Sequence, residues 1–411
     1  MRRRMTRHLF AGFTLVELMV AITGGLFVSI TVFLLARHSS RFYQRQSRLA
    51  TATLASVVGF ERLRADIART AFLASPNIRR DPAVCGDPVG DDTWPAYLGR
   101  LQSVFIEPTT GLPQMIAGNG LSPRSITLAG SYSSAEQFPI RTILFNSSAN
   151  SYDVYLQTAT GAMARLGYDP GDPGAGADLL ATAFPAGRAV RIVDQAGRHH
   201  YGSIDTVSGG TQPYVRLQAN APQLIQRSGS ERGCGIKGNE TGAQINVVNI
   251  VRYRIGNMLG AAGYEPLGAG RGPAYEANRT ELIREELDVS GTAIAGTQEL
   301  VSEYAVDLGF ELLVAQNDSS NLQRIAAASL SDWAGDVTGL SPNRGPQLIR
   351  SVRAWLSVRS READRQAALP VNSPGPILRF QVDGGGSTPF ARVRSVQSLV
   401  TLNNQVGVTW Q

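Results

Sequence analysis

The sequence of 411 residues predicts an α+β fold, in which one long N-terminal α-helix packs on a β-rich globular head. Two observations predict the helix: an apolar run at residues 13–36 and apolar residues at helical spacing through residues 37–75. A third observation predicts the head. Beyond Pro76, short runs rich in β-branched and aromatic residues alternate with clusters of Gly, Pro, Asn and Asp.

The apolar run is long enough to cross a membrane. Its 24 residues are apolar apart from Glu17 and a few small hydroxyl residues, and a helix of that length spans a hydrocarbon core of ~30 Å. The run follows a leader, residues 1–12, which carries four arginines. A secretory signal peptide has a shorter apolar region, of about 7–15 residues, without an acid. A plain single-span anchor fits the length but leaves Glu17 unexplained, because carboxylates inside membranes are unfavourable and usually functional.

The start of this run, GFTLVELMVA at residues 12–21, resembles the type IV pilin signature. That signature is a short basic leader, a Gly, a Phe, and an apolar run with Glu as the fifth residue after the cleavage site. The resemblance implies that a prepilin peptidase cleaves between Gly12 and Phe13 at the cytoplasmic face and then methylates the new amine of Phe13. It also implies that Glu17 pairs with such an amine in the filament core and sets the axial register between subunits.

The orientation in the membrane cannot be taken from positive charge. Four arginines follow the span and match the leader in number, so the positive-inside rule is neutral; the pilin signature and the cysteines favour an inner-membrane span with a periplasmic head. Gly24 and Gly25 lie in the middle of the span. Two roles remain open for them: close helix packing in the membrane, or a point where the helix bends or melts during assembly.

Residues 37–75 are expected to continue this helix as an amphipathic segment that ends before Pro76, giving one helix of roughly 60 residues. Its arginines lie largely off the apolar stripe and are expected to be solvated. The stripe expected to face the head consists of Phe42, Gln46, Leu49, Thr53, Val57, Phe60, Leu63, Ile67 and Phe72.

The remainder, residues 76–411, is expected to be a β-rich head in the periplasm. Strands are expected at residues 125–130, 142–146, 152–158, 188–194, 214–218, 245–255, 280–289, 299–314, 348–360 and 392–403. The order of VRYRIG (251–256), VRAWLSVRSR (352–361) and ARVRSVQSLVTLNN (391–404) is similar to that in PilW-type minor pilins. VTLNN departs from that family, which usually has a charged residue before the Asn. The resemblance implies a PilW-like core at 241–411, with 80–240 as an elaboration.

The distribution of charge argues against a nucleic-acid partner. Residues 1–80 contain 13 Arg and three acids, whereas residues 81–411 contain 26 basic and 30 acidic residues. The head is therefore slightly acidic, and a nucleic-acid-binding domain would show a basic face.

The two cysteines, Cys85 and Cys234, are 149 residues apart and have no clustered histidines, so a zinc site is not expected. A disulfide in an oxidising compartment fits better, with two unpaired thiols as the alternative.

The His199–His200 pair is expected to be a pair of surface imidazoles without a partner acid. Acids at 86–92 and 168–178 are expected in solvated turns, with calcium binding as the alternative, and the glycine-rich segment 267–275 is expected to be a hairpin loop.

No Ser/His/Asp or Cys/His arrangement has a recognisable spacing, so the chain is not expected to be an enzyme and no cofactor is expected. The resemblance implies a minor pilin that helps to prime assembly at or near the tip of a cell-surface pilus. Its expected partners are the prepilin peptidase, other minor pilins, the major pilin and a tip adhesin. Two alternatives remain: a J-type pseudopilin of type II secretion, and a single-pass membrane-anchored binding protein.

Overall fold

Helix α1 spans Leu15–Ala68 in the computed structural model and is followed by a β-rich body. The structure describes residues 14–85, 101–219, 236, 240–258, 264, 279–316, 321–337, 343–361, 363, 379–382, 390–408 and 410. The chain forms two compact units, and the boundary between them lies inside this helix, between Thr51 and Ala52. The expectation of an α+β chain with a long apolar N-terminal helix and a β-rich body is confirmed.

In the second unit, α1 buries one face against the body. Small residues form the first part of that face and large apolar residues the second: Ala52, Ser56, Phe60, Leu63 and Ile67 are all buried. The expected stripe is therefore right at Phe60, Leu63 and Ile67. It is wrong at four positions that are exposed and at one half-buried position beyond the end of the helix: Phe42, Gln46, Thr53 and Val57, and Phe72. A step of four residues back from Phe60 leads to Ser56 and Ala52, whose small side chains let the helix backbone approach the strands closely.

Helix α1 ends at Ala68, before the boundary expected from Pro76. Ala71 and Leu73 have φ of 59° and 50°, in the left-handed region that a helix cannot use. The amide of Ala71 donates to the carbonyl of Ala129 (2.9 Å), and the amide of Ser131 donates to the carbonyl of Phe72 (2.8 Å). The chain leaves the helix early because its backbone is hydrogen-bonded to a neighbouring strand.

All pairings between the strands of the body that the structure describes are antiparallel, and one isolated bridge, Val84 with His199, is parallel. The strands are β1 (Val104–Pro108), β2 (Arg124–Gly130), β3 (Phe138–Asn146), β4 (Ser151–Leu156), β5 (Ala189–Val193), β6 (His199–Ser208), β7 (Tyr214–Leu217), β8 (Gln244–Gly256), β9 (Glu281–Leu287), β10 (Glu299–Ser302), β11 (Ala305–Gln316), β12 (Asn321–Ile325), β13 (Ile349–Arg359), β14 (Arg379–Gln381) and β15 (Phe390–Thr401). Short helices connect them: α2 (Gln114–Gly118), α3 (Gly161–Arg165), α4 (Pro173–Ala183) and α5 (Ser331–Ala334), with 3-10 turns at Ala327–Ser329, Pro346–Leu348 and Asn403–Gln405.

Six strands close into a barrel. The order β8-β3-β4-β7-β6-β5 returns to β8, because the first half of β8 pairs with β3 on one side and with β5 on the other. Its interior is a hydrophobic cluster that includes Phe138, Val154, Ile192 and Val215. The barrel lies largely within residues 80–240, the segment expected to be an elaboration, but it needs β8 to close.

The second half of β8 belongs to a different layer, where it lies between β2 and β9. The order there is β1-β2-β8-β9-β10. A separate five-stranded sheet has the order β12-β11-β13-β15-β14. One hydrophobic core joins α1 to both sheets and includes Phe60, Leu63, Tyr253, Phe310 and Leu356. Strand β8 therefore links the barrel to the core on which the helix packs.

Most of the expected strands are present, but one was wrong in its extent. Residues 299–314 form two strands, β10 and β11, rather than one. Tyr304 lies between them with φ of 57°, which breaks the extended backbone.

Candidate functional site

The N-terminus of α1 is closed by a reciprocal pair of side-chain caps. The amide and the hydroxyl of Thr14 both donate to Oε2 of Glu17, each at 3.0 Å. In return, the amide of Glu17 donates to the hydroxyl oxygen of Thr14 (3.3 Å). This is the capping box, Thr-x-x-Glu, in which two otherwise unsatisfied amides at a helix start are bonded. Glu17 therefore has a partner within its own chain. This role was not predicted from the sequence, although the spacing T-x-x-E is its signal.

The helix after this cap has the properties of a membrane span. All side chains of residues 14–40 are exposed, and the stretch reaches a mean hydropathy of 2.4 over 18 residues. Its threonines are satisfied internally: the hydroxyl of Thr23 donates to the carbonyl of Met19 (2.9 Å), and that of Thr31 to the carbonyl of Phe27 (2.8 Å). By length and composition, this one helix can cross a membrane.

Of the residues expected to be processed, Gly12 and Phe13 lie outside the described residues, immediately before Thr14. Gly24 and Gly25 lie within α1, and a Cβ added to either would meet no atom within 4 Å. Nothing in the described chain therefore requires glycine at these two positions.

The C-terminal part of α1 is fixed to the body by a buried acidic residue, Asp66. Oδ2 of Asp66 accepts hydrogen bonds from Tyr253 Oη and Arg284 Nε, both at 2.8 Å. Tyr132 Oη donates to the backbone carbonyl of Asp66 (3.1 Å) and also contacts the hydroxyl of Thr70 (3.1 Å). Burial raises the pKa of Tyr253, and the nearby charge of Asp66 raises it further. Asp66 was not singled out from the sequence; its signal is an acid at a core-facing position of the helix.

Cys85 is disulfide-bonded. Cys234, the other cysteine of the sequence, lies outside the described residues, so the bridge between the two stays a prediction. The segment that carries Cys85 is held against β6, because the amide of Cys85 donates to the carbonyl of His199 and the amide of His199 donates to the carbonyl of Ala83, both at 2.7 Å.

The expectation of surface imidazoles at His199 and His200 is wrong. His200 is buried, and its Nε2 lies 3.0 Å from Oδ2 of the buried Asp194. Arg191 donates to Nε2 of His199 (2.8 Å), and Nδ1 of His199 lies 3.7 Å from Asp81. Asp194 lies only six residues before His200, in the turn between β5 and β6, so the local sequence contains this partner acid. Asp81 comes from the segment that carries Cys85 and is distant in sequence.

The acids weighed as calcium ligands divide into two groups. Those at 87–92 lie outside the described residues, as does the glycine-rich segment 267–275. Asp172 is the N-cap of α4 and accepts the amide of Ala175 (3.0 Å), while Asp169 accepts the amide of Gly171 (2.7 Å). Among the described residues, no group of three His, Cys, Asp or Glu side chains could hold a metal ion.

No protein-family model, curated protein or solved structure matches this chain.

Proposed function

We propose that this chain is a type IV pilin-like subunit, most similar to PilW-type minor pilins. In this proposal it is anchored in the inner membrane, is cleaved between Gly12 and Phe13, and then enters a pilus at or near its tip. The prepilin peptidase would process it, and other minor pilins, the major pilin and a tip adhesin would be its neighbours.

The observation that carries the proposal is Glu17. It is the one ionisable residue among residues 14–36, a stretch that is otherwise apolar apart from small hydroxyl residues and is exposed along its whole length. An acid at such a position is unfavourable in lipid and is expected to have a function there. A filament subunit gives it one, because the helices of neighbouring subunits replace the lipid and bring further polar groups to the acid.

The capping box suggests how Glu17 can serve before and after assembly. Thr14 occupies Oε2 only, and Oε1 accepts no hydrogen bond from the residues that the structure describes. Cleavage after Gly12 would remove the leader arginines and create an amine on Phe13. The amine of a neighbouring subunit could then bind Oε1 while Thr14 keeps Oε2. A methylated amine still carries a proton, so the charge pair would persist.

The same capping box favours a second candidate, a single-pass membrane-anchored binding protein. In that case Glu17 would serve only to satisfy the first amides of the helix, which have no partner in lipid. The two candidates differ in processing, because a plain anchor keeps its leader.

N-terminal mass analysis of the protein from membranes and from sheared filaments tests the proposal. We expect the mature chain to begin at Phe13 and to carry a methyl group on its amine. A control strain without prepilin peptidase should retain residues 1–12. If the leader is also retained in a strain with active peptidase, the proposal is wrong and the anchor is favoured.

A further inference from the structure

A cleft of about 200 Å³ lies on the body of the protein, between the end of β1 and the outward-facing side chains of β8. Its walls are polar and of both charges: Arg252 and Arg254 form one side, and Glu107, Thr109 and Ser125 contribute to the rest. This volume is below the ~300–1,000 Å³ of sites for drug-sized ligands, so the cleft suits a group the size of one residue. It is remote in sequence from the N-terminal signal and has no role in the filament proposal.

The two arginines are held rigidly by one buried acid. Glu285 on β9 has a fully buried side chain. Its Oε1 accepts Nε of Arg252 (2.8 Å) and Nε of Arg254 (2.6 Å), and its Oε2 accepts Nη2 of Arg254 (3.3 Å) and Nε2 of Gln298 (3.0 Å). Burial alone would raise the pKa of Glu285, but the hydrogen bonds and charges of Arg254 and Arg252 hold it below its ordinary value. The acid is therefore ionised and orients both guanidinium groups.

Two guanidinium groups share one carboxylate, so one positive charge of this trio is not neutralised. Their contacts to Glu285 use Nε and Nη2. The Nη1 groups make no hydrogen bond to a residue that the structure describes, and the side chains remain 25% and 28% exposed. A guanidinium has five N–H donors and binds carboxylates through pairs of them. The geometry offers a preformed carboxylate-binding pair.

On the opposite wall of the cleft, oxygen atoms can accept a hydrogen bond from a donor group of a ligand. The hydroxyl oxygen of Thr109 is buried and has no hydrogen-bond partner in the described part of the chain. The hydroxyl of Ser125 is 3.5 Å from Oε1 of Glu107, at the limit of a hydrogen bond. Glu107 would repel a multiply charged anion such as phosphate, but it accepts an N–H. A fitting ligand therefore has a single carboxylate next to a backbone amide.

We propose that this cleft binds the C-terminal end of an extended polypeptide. The terminal carboxylate would contact Nη1 of Arg252 and Arg254, and the last backbone N–H would donate to Glu107 or to the hydroxyl of Thr109. Capture of a chain terminus by a few fixed polar groups is a known mode of peptide recognition. Because the arginine pair is already ordered by Glu285, binding loses little side-chain entropy.

Calorimetric titration of the full chain in an uncharged detergent tests this inference. The probes are N-acetyl-trialanine with a free carboxylate, the same peptide with a C-terminal amide, acetate and inorganic phosphate. We expect the free acid to bind at least about tenfold more tightly than the amide and than either small anion. Equal binding of acid and amide overturns the proposal. Phosphate or acetate binding as tightly as the acid peptide also overturns it, because the site would then be a general anion site.

Variants locate the site. Arg254→Lys keeps a positive charge but loses the paired N–H donors of the planar guanidinium, and should weaken binding of the acid peptide by about tenfold. Arg254→Lys also changes the hydrogen bonds of the buried Glu285. Thr109→Val therefore provides a second variant, outside the cluster of the two arginines and Glu285, and should weaken binding of the acid peptide by several-fold. The matched control is Arg324→Lys. Arg324 also pairs with a glutamate, Glu311 (2.6 Å), but lies outside the cleft. Loss of binding in the control, or full binding in both cleft variants, contradicts the assignment.

Discussion

At the scale of single residues, His200 couples the stability of the body to pH. Its ring is buried and hydrogen-bonded to Asp194, whose other oxygen, Oδ1, accepts the amides of Ala196 and Arg198 (both 2.9 Å). Burial lowers the pKa of His200 below its ordinary value of 6.5, although the hydrogen bond and charge of Asp194 act in the opposite direction. The neutral ring is therefore the form that the fold favours.

The direction of the pH effect follows from this lowered pKa. Below about pH 6.5 the unfolded chain binds a proton at His200 that the folded chain resists, so the free energy of unfolding falls as pH falls. His200→Gln removes the titrating group and can keep a hydrogen bond to Asp194. We expect its melting temperature to depend less on pH than that of the wild type between about pH 7.5 and about pH 5.5. If the melting temperatures of the variant and of the wild type depend on pH in the same way, His200 does not contribute to the pH dependence of stability.

At the scale of elements, the contact between α1 and β10 depends on Gly59. A Cβ at this position would lie 2.8 Å from Cβ of Ser302 and 3.1 Å from the carbonyl of Val301. The hydroxyl of Ser302 also donates to the carbonyl of Ala55 (3.2 Å). The helix and the strand are in direct backbone contact here, so glycine is needed for packing rather than for conformational freedom.

Gly59→Ala tests this contact against helix propensity. Alanine favours a helix interior by about 1 kcal/mol over glycine, whereas overpacking costs about 1–3 kcal/mol. We expect a net loss of stability, measured as a lower melting temperature of the body. Gly24→Ala is the control, because a Cβ there meets nothing within 4 Å, and it should leave that transition unchanged. A more stable Gly59→Ala variant would contradict the packing.

The elements differ in how far the sequence could predict them. Strands with an apolar pattern, such as β8 and β13, were predicted because alternation or a long β-branched run identifies them. Strand β6 was missed, because its two histidines and its small polar residues are typical of a loop. The partner acid of His199, Asp81, is distant in sequence, whereas that of His200, Asp194, is only six residues away and was overlooked. The closed barrel could not be predicted either, since it depends on β8 pairing with both β3 and β5. At the start of α1, Glu17 was predicted to be functional, but its capping box with Thr14 was not predicted.

At the scale of the whole molecule, a bridge between Cys85 and Cys234 would connect the two ends of the segment that contains strands β1 to β7. Closing a loop of about 150 residues can stabilise a fold by up to roughly 5 kcal/mol in the chain-entropy estimate. That is comparable to the net stability of a domain. The bridge would therefore hold most of the barrel to the rest of the body.

Thiol labelling of the unreduced, denatured protein tests the bridge. We expect no reactive thiol, and two reactive thiols would refute the pairing. Cys234→Ser should make the body sensitive to protease while leaving cleavage after Gly12 unchanged, because the peptidase acts only at the membrane end. Cys85→Ser is the matched variant and should behave in the same way.

The central claim, that Glu17 acts through its charge in a filament, also concerns the whole molecule. Glutamine is accepted in the capping box as well as glutamate. Glu17→Gln therefore keeps the cap with Thr14 and removes only the charge, whereas Glu17→Ala removes both. Both variants should insert into the membrane and be cleaved, since the span becomes less polar.

The decisive measurement is the amount of each variant in sheared filaments relative to its amount in membranes. We predict that Glu17→Gln, like Glu17→Ala, is cleaved normally but is strongly depleted from filaments, because its amide cannot form a charge pair with the amine of Phe13. If Glu17→Gln enters filaments at the wild-type level while Glu17→Ala does not, Glu17 acts only as a helix cap and the proposed charge pair is wrong.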